Sequence, residues 1–172
     1  CCRTHESVLM KYIPNSYAAR LLHYSAKPFT LNPRRTYQQE RERDHKPAGL
    51  WLSVEGEYDW KYWSEAESFN LDAMKNVSEI ALKADANILV IDSVKKLDAF
   101  NTLYGNNDPH ELRGIEWRKV VATHDGIIIA PYYWERRISL MWYYTWDCAS
   151  GVIWNLKAIN QVRPYATLSE VK

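Results

Sequence analysis

The chain of 172 residues has the length of one ordinary domain, and its composition argues against several classes of function. Lys and Arg number 22 against 21 Asp and Glu, so the formal net charge of +1 creates no overall attraction to nucleic acid or anionic membrane. The longest apolar runs, residues 86–91 and 126–130, fall short of the ~20 residues of a membrane-spanning helix. We therefore expect one domain over residues 1–172, with its core at about 20–160 and no membrane partner.

Cysteines and histidines are sparse and dispersed along the chain. Cys1, Cys2 and Cys148 lack the spacing of a zinc site, and no carboxylate and histidine pair has ligand spacing on one helix face. We therefore expect no metal, and the few cysteines favour a reducing compartment, cytoplasmic or nuclear. The six glycines form neither a G-x-G-x-x-G nor a Walker pattern.

The first half of the chain predicts two strands, a long loop and a helix. Short apolar segments bounded by turn residues predict strands at residues 20–25 and 49–54. Between them, residues 32–47 carry charges of both signs with prolines at both ends, which predicts an exposed charged loop. Residues 58–71 place tryptophans at helical spacing behind Asp59, which predicts a helix with Asp59 as its N-cap.

The second half alternates irregularly between strand and helix patterns. We predict strands at residues 78–84, 87–91, 127–129, 138–144 and 151–156, helices at 94–104 and 115–124, and a loop at 106–114. Asp92 or Ser93 can cap the first of these helices, and Gly105 ends it. Such an order does not suit a doubly wound parallel sheet, and it predicts an α+β fold.

Two strand segments carry the residues that point to a function. The first reads Leu-Leu-His-Tyr-Ser at residues 21–25, and the second reads Gly-Leu-Trp-Leu-Ser at residues 49–53, before an aromatic-rich helix. In this order the segments resemble the ADP-ribosyltransferase superfamily, particularly its poly(ADP-ribose)-polymerase-like and diphtheria-toxin-like branch. The resemblance implies two packed, mainly antiparallel sheets in a split β-sandwich with short flanking helices, and it implies NAD as co-substrate.

The resemblance also implies roles for individual side chains. NAD must be held bent so that the ribose C1′ is exposed as the glycosidic bond loosens, and residues at strand ends can hold it rigidly. His23 would bond a ribose hydroxyl, the Tyr24 backbone would bind the nicotinamide carboxamide, and Trp51 would lie against the nicotinamide ring. Tyr62 is chosen among the aromatic residues of the following helix as the second stacking ring. The implied NAD-binding residues are His23, Tyr24, Ser25, Trp51, Ser53 and Tyr62.

A catalytic carboxylate is the least regular part of the resemblance. Family members carry a glutamate at the start of a late strand, where it contacts the 2′-hydroxyl of the nicotinamide ribose and stabilises an oxocarbenium-like transition state. Residues 151–155 resemble that strand, so the glutamate position falls near Ser150, and the nearest carboxylate is Asp147. The resemblance therefore implies His23 and Asp147 as catalytic residues, with ADP-ribose transferred to a protein or nucleic-acid acceptor and nicotinamide released.

Other interpretations stay open at the level of sequence. The aromatic residues could bind a nucleotide or partner without turnover, in a non-catalytic module on the same fold, or could serve packing alone in a structural protein. An RNA 2′-phosphotransferase, which also uses NAD, would need a basic cluster, for which the candidates by position are Arg34, Arg35, Arg41 and Arg43. Cys148 would permit a cysteine nucleophile with a histidine base.

Overall fold

A seven-stranded mixed sheet organises the part of the chain that the computed structural model describes, residues 19–105 and 114–165. Its strands are β1 (Leu21–Ser25), β2 (Leu50–Val54), β3 (Asn76–Leu82), β4 (Ile88–Ile91), β5 (Gly126–Ile129), β6 (Ser150–Ile153) and β7 (Ile159–Pro164). Their order in the sheet is β4-β5-β6-β2-β1-β3-β7, with β4 and β5 parallel and all other neighbours antiparallel. The predicted α+β class is confirmed.

Hydrogen bonding joins all seven strands into one sheet, so the predicted pair of packed sheets is not confirmed. The shortest junction lies between β1 and β2, which share the residue pairs Leu21 with Val54 and Leu22 with Ser53. In contrast, β1 pairs with β3 over its whole length, and β2 pairs with β6 over its first four residues. The sheet thus consists of a β1 half (β1, β3, β7) and a β2 half (β2, β4, β5, β6) that separate beyond Leu22 and Ser53.

Short helices flank the sheet, and two of them begin after the predicted capping residues. The α-helices of the described residues are α1 (Trp60–Ala66), α2 (Val94–Tyr104), α3 (Trp117–Val121) and α4 (Met141–Tyr144). The Asp59 side chain accepts a hydrogen bond from the Tyr62 N–H at 2.9 Å, and Ser93 caps α2 in the same way, while Gly105 follows its last residue. No helix within the described ranges has the length and apolarity that a bilayer crossing requires.

The core combines apolar strands with a cluster of large rings. All residues of β4, β5 and β6 are buried, as expected for strands covered on both faces. Phe100 of α2, Trp117 of α3 and Trp142 of α4 contact one another, with ring centroids 5.5 to 6.2 Å apart. Trp117 and Trp142 also contact Trp146, at 6.2 and 6.0 Å. Trp146 continues this cluster to Trp51 of β2 at 5.0 Å, so the aromatic core extends directly to the edge of the candidate site.

The predicted charged loop is exposed over most of its length, but hydrogen bonds fix it to the rest of the fold. The Gln39 side chain makes two bonds of 2.9 Å with the backbone of Ala48. Arg118 of α3 donates to the carbonyl oxygens of Gln39 and Glu40 at 3.0 and 2.9 Å. An isolated bridge joins Asp44 to Ile115. The loop therefore has a defined path across α3.

One prediction in the second half is wrong, and one observed strand has no counterpart among the predicted elements. Residues 138–144 form no strand; they contain α4, because Trp142 and Tyr143 are buried side by side while Met141 and Tyr144 are exposed, a pattern that strand alternation does not give. The edge strand β7 is the observed element without a predicted counterpart, because four of its six residues are exposed and only Ile159 is buried. Residues 106–113 of the predicted loop, like Cys1 and Cys2, lie outside the described residues.

Candidate functional site

The separation of β1 and β2 opens a cleft of about 290 Å³, close to the lower end of the ~300–1,000 Å³ range of small-molecule sites. Its described lining consists of Leu22, His23 and Tyr24 from β1, Trp51, Leu52 and Ser53 from β2, and Lys46, Trp60, Asn70, Ala73, Trp146, Cys148 and Ser150 from the surrounding segments. Apolar and aromatic walls with a few polar groups are typical of ligand sites.

His23 occupies the point at which the strands part. Its Nδ1 lies 2.9 Å from the carbonyl oxygen of Trp51. Because a carbonyl oxygen can only accept, Nδ1 carries the proton in this bond, and Nε2 of the neutral ring keeps a lone pair. Burial lowers the pKa of His23, against the opposing effect of the bond to Trp51, so the ring is mostly neutral at pH 7. The cleft wall therefore contains an imidazole of fixed tautomer whose Nε2 can accept a hydrogen bond.

The backbone of Tyr24 is the second polar feature of the cleft. In an antiparallel strand, alternate residues direct both their N–H and their C=O to the same neighbour. The Arg20 carbonyl accepts from the Glu55 N–H at 2.9 Å, so Leu22 and Tyr24 face β2 as well. Leu22 is paired with Ser53, but the pairing of these two strands ends there. The N–H and C=O of Tyr24 are therefore directed to the side where the cleft opens.

Trp51 lies between the aromatic core and a cation. Its ring is 5.0 Å from that of Trp146, and the Lys46 Nζ lies 5.3 Å from its centroid. The same ammonium group is 3.8 Å from Oδ2 of Asp147. Lys46 was not predicted as a site residue. Its place at the end of the charged loop, just before β2, is the sequence signal that could have identified it.

The helix after β2 contributes Trp60 to the cleft, whereas Tyr62 is not a lining residue. The Ser53 hydroxyl accepts a hydrogen bond from the Trp60 backbone N–H at 3.0 Å, which fixes the start of α1 against β2. Trp60 also stacks on Trp63 with centroids 5.1 Å apart. Tyr62 is 56 % exposed, and its ring contacts Tyr58. The choice of Tyr62 over Trp60 thus disagrees with the direction in which the helix presents its rings.

Asp147, the predicted catalytic carboxylate, lies next to the cleft wall. It has a φ of 63° between Trp146 and Cys148, which both line the cleft, but Asp147 itself does not. Burial raises its pKa, although Lys46 and Arg137 act in the opposite direction. The expected glutamate position is Ser150, which begins β6 and lines the cleft. Among the described residues, no Asp or Glu lines the cleft.

Cys148 is an unsuitable nucleophile in this arrangement. Its side chain is buried in the cleft wall, and burial raises the pKa of the thiol to about 12. Since the thiolate is the reactive form, the cysteine stays protonated and unreactive at neutral pH. No group of three or more His, Cys, Asp or Glu side chains in the described ranges could hold a metal ion. The polar side chains that remain in the cleft lining are His23, Tyr24, Lys46, Ser53, Asn70 and Ser150.

Four of the predicted site residues, His23, Tyr24, Trp51 and Ser53, meet in one cleft. Ser25 does not line it, and its hydroxyl donates to the Lys27 carbonyl at 2.8 Å. Comparisons of the chain with protein-family models, with curated proteins and with solved structures find no match. A function must therefore be inferred from the cleft itself.

Proposed function

We propose that the chain is an ADP-ribosyltransferase that binds the nicotinamide end of NAD in the cleft between β1 and β2. The observation that carries this proposal is the meeting of a neutral His23 imidazole, the unpaired edge of Tyr24 and the Trp51 indole in one cleft. A ribose hydroxyl would donate to His23 Nε2, and the carboxamide would bond to the Tyr24 backbone. Nicotinamide would stack on Trp51. These are the three roles that the sequence resemblance implies.

The size and the walls of the cleft support the same ligand. A volume of about 290 Å³ suits the nicotinamide and its ribose, while the rest of NAD would lie across the neighbouring surface. Trp60 and Trp146 add apolar walls that would exclude water from the glycosidic bond. Lys46 at the edge of the cleft provides a positive charge for the pyrophosphate.

The proposed reaction is a displacement at the ribose carbon. The bond between C1′ and the nicotinamide nitrogen breaks, and its electron pair leaves with neutral nicotinamide. An acceptor nucleophile on a protein or nucleic acid forms the new bond to C1′ and loses a proton. The positive charge that develops on the ribose requires a carboxylate, and we assign this role to Asp147, which would have to exchange Lys46 for the substrate.

The same proposal extends to the finer architecture. We infer an ADP-ribosyltransferase-like arrangement in which the β1 half and the β2 half act as the two sheets of a split sandwich. Its support is the short junction between β1 and β2, whose two residue pairs are followed immediately by the cleft.

A non-catalytic nucleotide-binding module on this fold is the second candidate. Two observations favour it: Ser150 stands at the glutamate position, and Asp147 is paired with Lys46 next to the cleft wall. Such a module would use the contacts of His23, Tyr24 and Trp51 without breaking the glycosidic bond.

Calorimetry with NAD, together with an assay for released nicotinamide, separates the two candidates. A transferase binds NAD and releases nicotinamide, with Asp147→Asn abolishing release while binding remains. A binding module binds NAD without releasing nicotinamide, even when a cell lysate supplies acceptors. No heat of binding at millimolar NAD would contradict both.

Two variants of α1 form a matched pair for the binding measurement. Trp60→Leu removes a ring from the cleft wall, and we expect about tenfold weaker NAD binding, equivalent to about 1.4 kcal/mol. Tyr62→Leu removes an exposed ring two residues later and should leave binding unchanged. If Tyr62→Leu weakened NAD binding and Trp60→Leu did not, the ligand would lie on the outer face of α1 and outside the cleft.

A further inference from the structure

A second concavity of about 450 Å³ lies at the other end of β6 from the cleft. Arg34, Arg35 and Tyr37 of the charged loop form one side of it, and Asp125, Asn155 and Lys157 lie on the other. We call it the loop groove. None of its residues lines the cleft between β1 and β2, so it is a separate candidate site.

The loop groove carries an excess of positive charge. Within residues 19–105 and 114–165, no carboxylate forms an ion pair with Arg34, Arg35 or Lys157, and all three are exposed. Asp125 is the one described carboxylate that lines the groove, and its two oxygens accept from the Asn155 amide at 2.6 Å and from the Asn87 N–H at 2.8 Å. Three cations therefore face a single carboxylate that already has hydrogen-bond donors.

The other arginines of the same loop have carboxylate partners. Arg41 lies 3.8 Å from Asp44, and Arg43 lies 3.0 Å from Glu116. The lack of such a partner at Arg34 and Arg35 is therefore not a general property of the loop. It is confined to the segment that forms the groove.

The segment that carries these arginines has a fixed backbone. Asn32 accepts from the Arg34 N–H at 3.1 Å through its side chain and from the Arg35 N–H at 3.0 Å through its carbonyl. The Arg35 guanidinium lies 4.9 Å from the centre of the Tyr37 ring. Arg118 then ties the following residues to α3. Because these contacts already order the loop backbone, ligand binding costs little further backbone entropy.

We propose that the loop groove binds single-stranded nucleic acid through its phosphate groups. Guanidinium groups form paired hydrogen bonds with phosphate oxygens, and the plane of a guanidinium group, such as that of Arg35 above the Tyr37 ring, offers a surface on which a base stacks. The groove is open, which suits a strand that passes through it with its phosphates against the three cations. Because the whole chain has a net charge of only +1, binding has to come from this local cluster.

Fluorescence anisotropy with a labelled single-stranded oligonucleotide tests the proposal without NAD, so the result does not depend on the proposed function. Arg34→Glu and Lys157→Glu should each weaken binding at least about tenfold, which is about 1.4 kcal/mol. Arg41→Glu is the matched control, since it makes the same charge change in the same loop outside the groove. We expect it to weaken binding by less than about threefold, and circular dichroism should show all three variants folded.

The salt dependence gives an independent measure of the contacts. Three phosphate contacts on a single strand predict that log K falls with log salt concentration with a slope of about −2, since each contact contributes about −0.7. Arg34→Ala should make the slope shallower by about 0.7. Absence of oligonucleotide binding would overturn the proposal. It would also be overturned if Arg41→Glu weakened binding as much as Arg34→Glu, or if polyglutamate competed as well as unlabelled oligonucleotide. If AMP competed as strongly as the oligonucleotide at the same total phosphate concentration, the ligand would be a mononucleotide and the assignment to a nucleic-acid strand would be wrong.

Discussion

Replacement of His23 probes the point at which the sheet opens. The Nδ1–H of His23 is the donor that satisfies the Trp51 carbonyl once the two strands have separated. A buried acceptor left without a donor costs about 1–3 kcal/mol, and water entering the cleft offsets part of this cost. We therefore expect His23→Ala to lower the free energy of unfolding by about 1–2 kcal/mol. His23→Gln keeps an amide donor, and we expect it to cost less than about 1 kcal/mol.

The pH dependence of stability gives a second prediction for the same residue. Burial lowers the pKa of folded His23 below the ordinary value of 6.5. At pH values between the pKa of the folded state and that of the unfolded state, the unfolded chain binds the proton more readily. Stability therefore rises with pH in this range and reaches its full value above 6.5. Acidification below 6.5 therefore destabilises the wild type, and the neutral amide of His23→Gln removes this part of the loss.

Urea unfolding followed by tryptophan fluorescence, at about pH 7.5 and about pH 5.5, measures both effects. The difference between wild type and His23→Gln at each pH isolates His23 from the other histidines. If His23→Gln lost as much stability on acidification as the wild type, the imidazole would not be buried as described. If His23→Ala had the same free energy of unfolding as the wild type, the bond to Trp51 would contribute nothing to stability.

Three further predictions concern the packing around the site. Gly151→Ala would bring a Cβ within 2.8 Å of the Ile127 carbonyl oxygen in the middle of the sheet, so it should cost about 1–3 kcal/mol in urea unfolding. Trp142→Phe removes the 2.9 Å bond from Nε1 to Asn101 Oδ1 within the aromatic core, and we expect it to lower the free energy of unfolding by about 2 kcal/mol. An unchanged midpoint of urea unfolding would contradict this prediction. Cys148, with a thiol pKa of about 12, should resist iodoacetamide at neutral pH until the protein is denatured, as measured by peptide mass spectrometry.

The sequence predicts those parts of the fold in which local pattern and burial agree. Residues 127–129 are apolar and lie in the buried strand β5, and Asp59 caps α1 as its side chain suggests. Strand β7 is exposed along one edge of the sheet and has no apolar alternation to identify it. Residues 138–144 contain enough aromatic residues to suggest a strand, but tertiary packing of Trp142 into the ring cluster selects a helix.

The site was predictable to the extent that it depends on neighbouring strands. His23 and Trp51 come together because β1 and β2 pair at their other ends. The order of the two strand segments along the chain was therefore enough to predict that these residues meet. The choice between Trp60 and Tyr62 depends on the rotation of α1, which turns by about 100° per residue. The bond from the Trp60 N–H to Ser53 fixes that rotation, and spacing in the sequence does not reveal it.

The connection between β1 and β2 explains why both candidate sites occur where they do. Strands that separate after two residue pairs leave backbone groups without ladder partners, and a ligand can use these groups in place of a strand. The charged loop that joins the same strands ends with Lys46 at the cleft and carries Arg34 near its start at the loop groove. Arg118 of α3 holds the middle of this loop through the carbonyl oxygens of Gln39 and Glu40. The cleft and the loop groove are thus two consequences of one long, anchored connection inserted where the sheet divides.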